Sequence, residues 1–156
     1  MPKKSEPQPH KPVDWTRLSD AELLAMRVRD LQVSITGSIL QVRITQLYQE
    51  LHERGIRFRP PCYLADEWLC PEKMPIIGIP FWLAHPRLIE LEQKMMLEAE
   101  GADETHCMKL LRHECGHAIN YAYELYKRTR WRELFGPFSA PYNNTYSFLP
   151  YSRRYV

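Results

Sequence analysis

Residues 104–128, ETHCMKLLRHECGHAINYAYELYKR, form the stretch that decides the fold of this chain. Apolar side chains recur through it at a helical spacing, and Asp103 stands where it can accept hydrogen bonds from the first free backbone amides. Lys127 and Arg128 suit the other end, where the helix dipole is negative. The sequence therefore predicts one long helix from about residue 104 to 127 or 128.

Two histidines four residues apart lie in the middle of this helix, in the motif His113-Glu114-Cys115-Gly116-His117. Positions four apart rise by about 6 Å and return to nearly the same helix face, so both imidazoles can bind one ion. The glutamate lies about 100° further round the helix, near a water activated by that ion. This HExxH spacing predicts zinc as the cofactor, His113 and His117 as its ligands, and Glu114 as the general base.

A third protein ligand, which catalytic zinc sites normally have, is not evident in the sequence. After His117 the chain has no further histidine, and its acidic residues are Glu124 and Glu133. Glu124 would lie about 10 Å away along the same helix, which leaves Glu133, on a short helix beyond a turn, as the candidate. The HExxHxxGxxH pattern is excluded, because Asn120 and Tyr123 occupy its last two positions.

Two further features could serve a hydrolytic site. Tyr142, Tyr146 and Tyr151 are candidate hydrogen-bond donors to the oxyanion of a tetrahedral intermediate, although aromatic side chains of an irregular segment more often only pack. Residues 76–82 could be an edge strand that aligns an extended peptide, or simply one strand of a small sheet. The sequence leaves both alternatives open.

Outside the long helix, periodicity predicts a mixed fold. The predicted helices lie at 20–30, 38–54, 86–101 and 131–135, and the predicted strands at 31–35, 56–65 and 76–83. Pro80 lacks a backbone N–H, which favours an edge position for the last of these strands. We expect an α+β, zincin-like fold in which a small antiparallel sheet packs with about four helices, including the long helix that carries the motif.

The composition predicts one domain without a strong electrostatic partner. The chain has 156 residues and a net charge of +2, so nothing in its overall charge favours nucleic acid or an anionic membrane. Residues 1–13 contain four prolines and four charged residues, which predicts a flexible tail before a domain at 14–156. Four cysteines and no recognisable signal peptide predict reduced thiols and a cytoplasmic protein.

Several longer stretches resemble the bacterial zinc-binding metallopeptidase family, whose members carry HExxH. The resemblance spans about residues 14–156 and is carried by DWTRLSDAELLAMRVRDL, RGIRFRPPCYLADEWL, IPFWLAHPRL and LRHECGHAINYAYELYKRTRWRELFGPFSAPY. It implies a zincin-type fold, with His113 and His117 as ligands and Glu114 as the catalytic base. Chains of this family carry, past the position of Val156, a segment whose glutamate is expected to complete the metal site. The resemblance leaves open whether this chain is a natural short member, is truncated, or obtains its third ligand otherwise.

Two hypotheses follow for the function. The first is a zinc-dependent metallopeptidase that hydrolyses peptide bonds with a zinc-activated water and with Glu114 as base. The second is a non-catalytic zinc-binding or interaction protein that keeps the zincin fold. A peptide or protein substrate is the expected partner in the first case, and the sequence determines neither its specificity nor the oligomeric state.

Overall fold

The computed structural model describes residues 13–140, which contain five α-helices and two short β-strands. The helices are α1 (Asp20–Leu24), α2 (Ile39–Glu53), α3 (Pro86–Met96), α4 (Glu104–Ala122) and α5 (Thr129–Phe135), and the strands are β1 (Cys62–Ala65) and β2 (Ile77–Pro80). The expected α+β class is confirmed in this general form. Nearly all of the predicted tail, like Tyr142, Tyr146 and Tyr151, lies outside the described residues.

Helix α4 begins where the sequence predicted, but it ends earlier. The carboxylate of Asp103 accepts a hydrogen bond from the backbone N–H of His106 at 2.8 Å, which caps the first turn. The helix ends at Ala122 and not at 127 or 128, because Glu124 adopts a left-handed conformation with φ of 49°. That conformation breaks the ladder of helical hydrogen bonds, and a 3-10 turn at Leu125–Lys127 then leads into α5.

The two strands are parallel, so the predicted antiparallel sheet is wrong. After β1 the chain reverses, and Leu69 exchanges two hydrogen bonds with Gly78 in an antiparallel bridge. A second reversal at Pro71–Met74 then brings β2 alongside β1 in the same direction. Because the chain reverses twice between the strands, β2 runs in the same direction as β1. The sequence pattern indicates that residues 66–75 connect the strands, but it does not show these reversals.

Several other predicted elements are shorter than expected or do not form. The helix predicted at 86–101 ends at Met96, the strand predicted at 56–65 forms only at Cys62–Ala65, and the strand predicted at 76–83 forms only at Ile77–Pro80. The capping box of Ser19 and Glu22 is present, but the helix that it starts, α1, stops at Leu24 and not near residue 30. The predicted strand at 31–35 does not form. A 3-10 turn at Val28–Leu31 precedes it, and Gln32 takes a left-handed conformation with φ of 51°, which is incompatible with an extended strand.

The core lies where α2 and α4 pack together, with β2 packed against α4. These three elements supply most of its fully buried large side chains, including Leu40, Leu47, Ile77, Ile79, Cys107 and Leu111. Within residues 13–140, no helix combines the length and the apolar content that a membrane span requires. The packing of α2 and β2 against α4 holds the motif of α4 in a fixed position.

Arg43 connects α2 to the segment before α4. It is only 7 % exposed, and its two terminal nitrogens donate hydrogen bonds to the carbonyl oxygens of Gly101 and Ala102, both at 3.1 Å. A buried guanidinium is stable when it has such partners, and these carbonyls lie just before the cap of α4. Arg43 therefore helps to set the start of the helix that carries the histidines.

Candidate metal centre

The imidazoles of His113 and His117 converge in the structure. Their Nε2 atoms lie 3.2 Å apart, and the ring centroids are 4.9 Å apart with an interplanar angle of 77°. Two Zn–N bonds of about 2.0–2.1 Å at a tetrahedral angle place their nitrogens about 3.3 Å apart. The observed separation therefore suits two ligands of one ion, although one imidazole N–H donating to the other ring also accounts for it.

Solvent reaches this pair of nitrogens. His113 is exposed and His117 is partly exposed, while the residues on the opposite side of the helix are buried. Leu111, Cys115 and Ala118 belong to that buried side and pack in the core. Cys115 is thus a small core residue. The helix thus holds both imidazoles at the surface on a rigid, packed base.

Glu114 lies beside the pair and is only 8 % exposed. Within residues 13–140 no lysine, arginine or histidine forms an ion pair with its carboxylate. A carboxylate without such a partner is free to accept a proton from a reacting group. The position and the chemistry of Glu114 are therefore those of a base next to the two histidines.

Two neighbours of Glu114 were not identified from the sequence. Burial, and to a smaller extent the negative charge of Glu114, raises the pKa of the Cys70 thiol to about 11. Burial also raises the pKa of Tyr121, with smaller contributions from the charges of Cys70, Glu72, Tyr126 and Glu114. Tyr121 follows Glu114 by seven residues on the same helical stripe, so periodicity could have indicated it. The connection between the strands brings in Cys70, and no local signal predicts that.

The described residues do not supply a third ligand. No group of three or more His, Cys, Asp or Glu side chains within residues 13–140 is arranged to bind a metal ion. Glu133, the candidate from the sequence, lies on α5, where its carboxylate accepts a hydrogen bond from Arg130 at 3.3 Å. His106 is also separate from the pair, two helical turns before His113 on α4.

The surroundings of the motif include β2 and the space beside Gly116. β2 is not a free edge, because β1 pairs with one side of it and Leu69 bridges to Gly78 on the other. A side chain at position 116 would meet no atom within 4 Å, so Gly116 does not make room for another part of the described chain. The open space beside Gly116 remains accessible to a ligand.

The two imidazole nitrogens suit zinc, and they would form part of its set of ligands. Neutral imidazole nitrogens are common zinc ligands, and here two of them converge at a suitable separation with an acidic side chain beside them. Comparisons of the chain with protein-family models, with curated proteins and with solved structures found no match. The geometry of this site is therefore the basis for proposing a function.

Proposed function

We propose that this protein is a zinc-dependent metallopeptidase that hydrolyses peptide bonds, with His113 and His117 as metal ligands and Glu114 as the general base. The observation that carries the proposal is the 3.2 Å separation of the two Nε2 atoms on a packed helix, next to a buried carboxylate. The resemblance of residues 14–156 to the bacterial zinc-binding metallopeptidases supports it. A zincin-type fold and a cytoplasmic location belong to the same proposal.

Each residue has a defined part in this mechanism. His113 and His117 would hold the ion with their imidazole nitrogens, and the packed face of α4 keeps both rings oriented. Zinc, when bound, supplies a Lewis acid that polarises a carbonyl group and makes water acidic near neutral pH. Glu114 takes the proton of the attacking water and can return it to the leaving amine. The carboxylate thus serves first as a base and then as an acid.

A second function is favoured by a specific observation, the lack of a three-residue metal group within residues 13–140. A non-catalytic zinc-binding or interaction protein needs no open, fully assembled catalytic site. Such a protein would bind zinc weakly through His113 and His117 and would not hydrolyse peptides. Zinc content and peptidase activity, measured on the same sample, distinguish the two functions.

The variant Glu114→Gln tests the proposed function directly. Hydrolysis of labelled casein and of a mixed library of internally quenched peptides is measured with zinc present. We expect the variant to lose at least about 10²-fold in rate, because the amide cannot accept the proton. Zinc content, measured by atomic emission, should stay at the wild-type level, because the amide leaves both histidines unchanged.

Glu104→Gln is the matched control, since Glu104 lies on the same helix in its exposed first turn. It should keep the full wild-type rate. Equal hydrolysis by wild type and Glu114→Gln would refute the role of Glu114. Zinc binding by the wild type without any hydrolysis would instead favour the non-catalytic function.

A further inference from the structure

An apolar groove of about 250 Å³ lies between α3 and the segment that runs from α1 into the turn Val28–Leu31. Leucine, methionine, valine and aromatic side chains make up its lining, and Glu92 is the one charged residue among them. Side chains of α1 and α3 face each other across it, including Leu24 and Met95. The groove has the chemistry of a site for apolar side chains.

Large apolar side chains project into solvent at this groove. Among the residues that line it, Leu24 and Val28 are about half exposed and Met95 is 56 % exposed. Single exposed apolar residues are common, but a contiguous group around a groove marks an interaction surface. Methionine side chains, being flexible and polarisable, adapt well to the shape of a partner.

An acidic pocket of about 440 Å³ continues the groove, because Trp82 and Glu92 line both. Five carboxylates surround this second pocket: Asp66, Glu67, Glu92, Glu98 and Glu100. No lysine or arginine is among its lining residues, and none of the five carboxylates forms an ion pair within residues 13–140. The groove therefore has an uncompensated negative charge along one end.

We propose that the groove and the acidic pocket form one docking surface for an amphipathic, basic segment of a partner protein. Apolar side chains of that segment occupy the groove, and its lysine or arginine side chains lie against the five carboxylates. Helix α5 of a second copy is also basic and partly apolar. Its cations fit less well, because Arg130, one of its two arginines, is already paired with Glu133. This surface is separate from the metal centre, and its role does not depend on the proposed peptidase activity.

Fluorescence anisotropy with a labelled model peptide tests this surface. The probe is a peptide of about four helical turns, made only of leucine and lysine with leucine at helical spacing. The counter-probe has glutamate in place of lysine. We expect saturable binding of the lysine probe, weaker at high salt, and no saturable binding of the counter-probe.

Variants of the full chain then locate the site. Met95→Asp should raise the Kd of the lysine probe about tenfold or more, because it places a charge in the apolar groove. Leu24→Asp, on the opposite wall, should do the same. Combined Glu98→Lys and Glu100→Lys should raise the Kd about tenfold. Met74→Asp changes an equally exposed methionine outside both pockets and should leave the Kd within about twofold.

Circular dichroism and thermal unfolding check that each variant is folded. We expect all of them to fold, because the replaced side chains are exposed. Equal binding of both probes, the lack of saturable binding, or an unchanged Kd in Met95→Asp and Leu24→Asp would each overturn the proposal. A concentration-dependent dimer of the wild type, lost in Met95→Asp, would also overturn it by showing that a second copy covers the surface.

Discussion

At the scale of single residues, the central feature is the pair of imidazoles on one face of α4. Their separation alone allows either a metal ion or a proton between the two Nε2 atoms. A proton would need only these two rings, whereas zinc would also draw on other donors. If the two rings bind zinc, replacing either histidine lowers zinc affinity. If they share only a proton, replacing either one leaves zinc affinity unchanged.

Replacement of one histidine tests the metal assignment at this scale. His117→Ala should lower zinc affinity at least about 100-fold, because it removes one of two converging ligands. Isothermal titration with zinc measures the change. His106→Ala is the control, because His106 lies on the same helix but about 10 Å from His113 along the axis. If both variants lost affinity equally, the ion would not be bound by the motif.

A second residue-scale prediction concerns Arg43. Arg43→Met removes both hydrogen bonds to the carbonyls of Gly101 and Ala102, so one buried and one partly buried acceptor lose their partner. We expect the free energy of unfolding to fall by about 3 kcal/mol, as measured by urea denaturation. Arg29→Met, at an exposed position, should change it by less than about 0.5 kcal/mol. A similar small effect at Arg43 would contradict its role in setting the start of α4.

At the scale of elements, the contact between α2 and α4 includes a bidentate ion pair between Glu50 and Arg112. Nε and Nη2 of Arg112 donate hydrogen bonds to the carboxylate of Glu50 at 2.8 and 2.7 Å. This donation holds the pKa of Glu50 below its ordinary value of 4.5. The pair is partly exposed, so its contribution to stability is modest.

The pH dependence of stability follows from the lowered pKa of Glu50. Stabilisation by the ion pair is fully present above about pH 4.5 and is lost as the pH falls through the lower pKa of the folded state. Glu50→Gln should therefore lower the free energy of unfolding by up to about 1 kcal/mol at neutral pH. The difference from wild type should vanish as the pH falls below the lowered pKa of Glu50 in the folded state. Urea denaturation at several pH values checks this, with Glu53→Gln as the control on the same helix.

The end of α3 gives another prediction at the element scale. Leu97 follows the helix with φ of 63°, a left-handed conformation that glycine adopts without strain. Because Leu97 is mostly exposed, Leu97→Gly should raise the free energy of unfolding by about 1 kcal/mol. Leu97→Ala keeps a side chain in the same conformation and should give no such gain. Thermal unfolding of the three proteins compares them, and equal gains would exclude backbone strain as the cause.

At the scale of the whole molecule, metal binding and folding are linked. The two imidazoles converge only when α4 is folded on its core, so an ion bound by both stabilises the native state. Zinc at about 100 times its Kd should raise the free energy of unfolding by about 2.7 kcal/mol. Thermal unfolding with zinc and with a chelator measures the shift, and His117→Ala should lose it. An unchanged shift in that variant would place the ion elsewhere.

The sequence by itself determined the features that arise from local signals. The cap at Asp103, the helical periodicity after it and the His113–His117 spacing predict α4 and the shared face of its histidines, because neighbouring residues decide helix formation and side-chain direction. The α+β class and the helix at Ile39–Glu53 follow in the same way.

Only the tertiary structure decided the features that depend on contacts between distant residues. The strands are parallel because the chain reverses twice between them, and the same connection brings Cys70 towards Glu114. The early end of α4 depends on the conformation of the single residue Glu124. Strand direction and such breaks are set by packing and by hydrogen bonds between segments, and for this physical reason a periodic pattern in the sequence does not contain them.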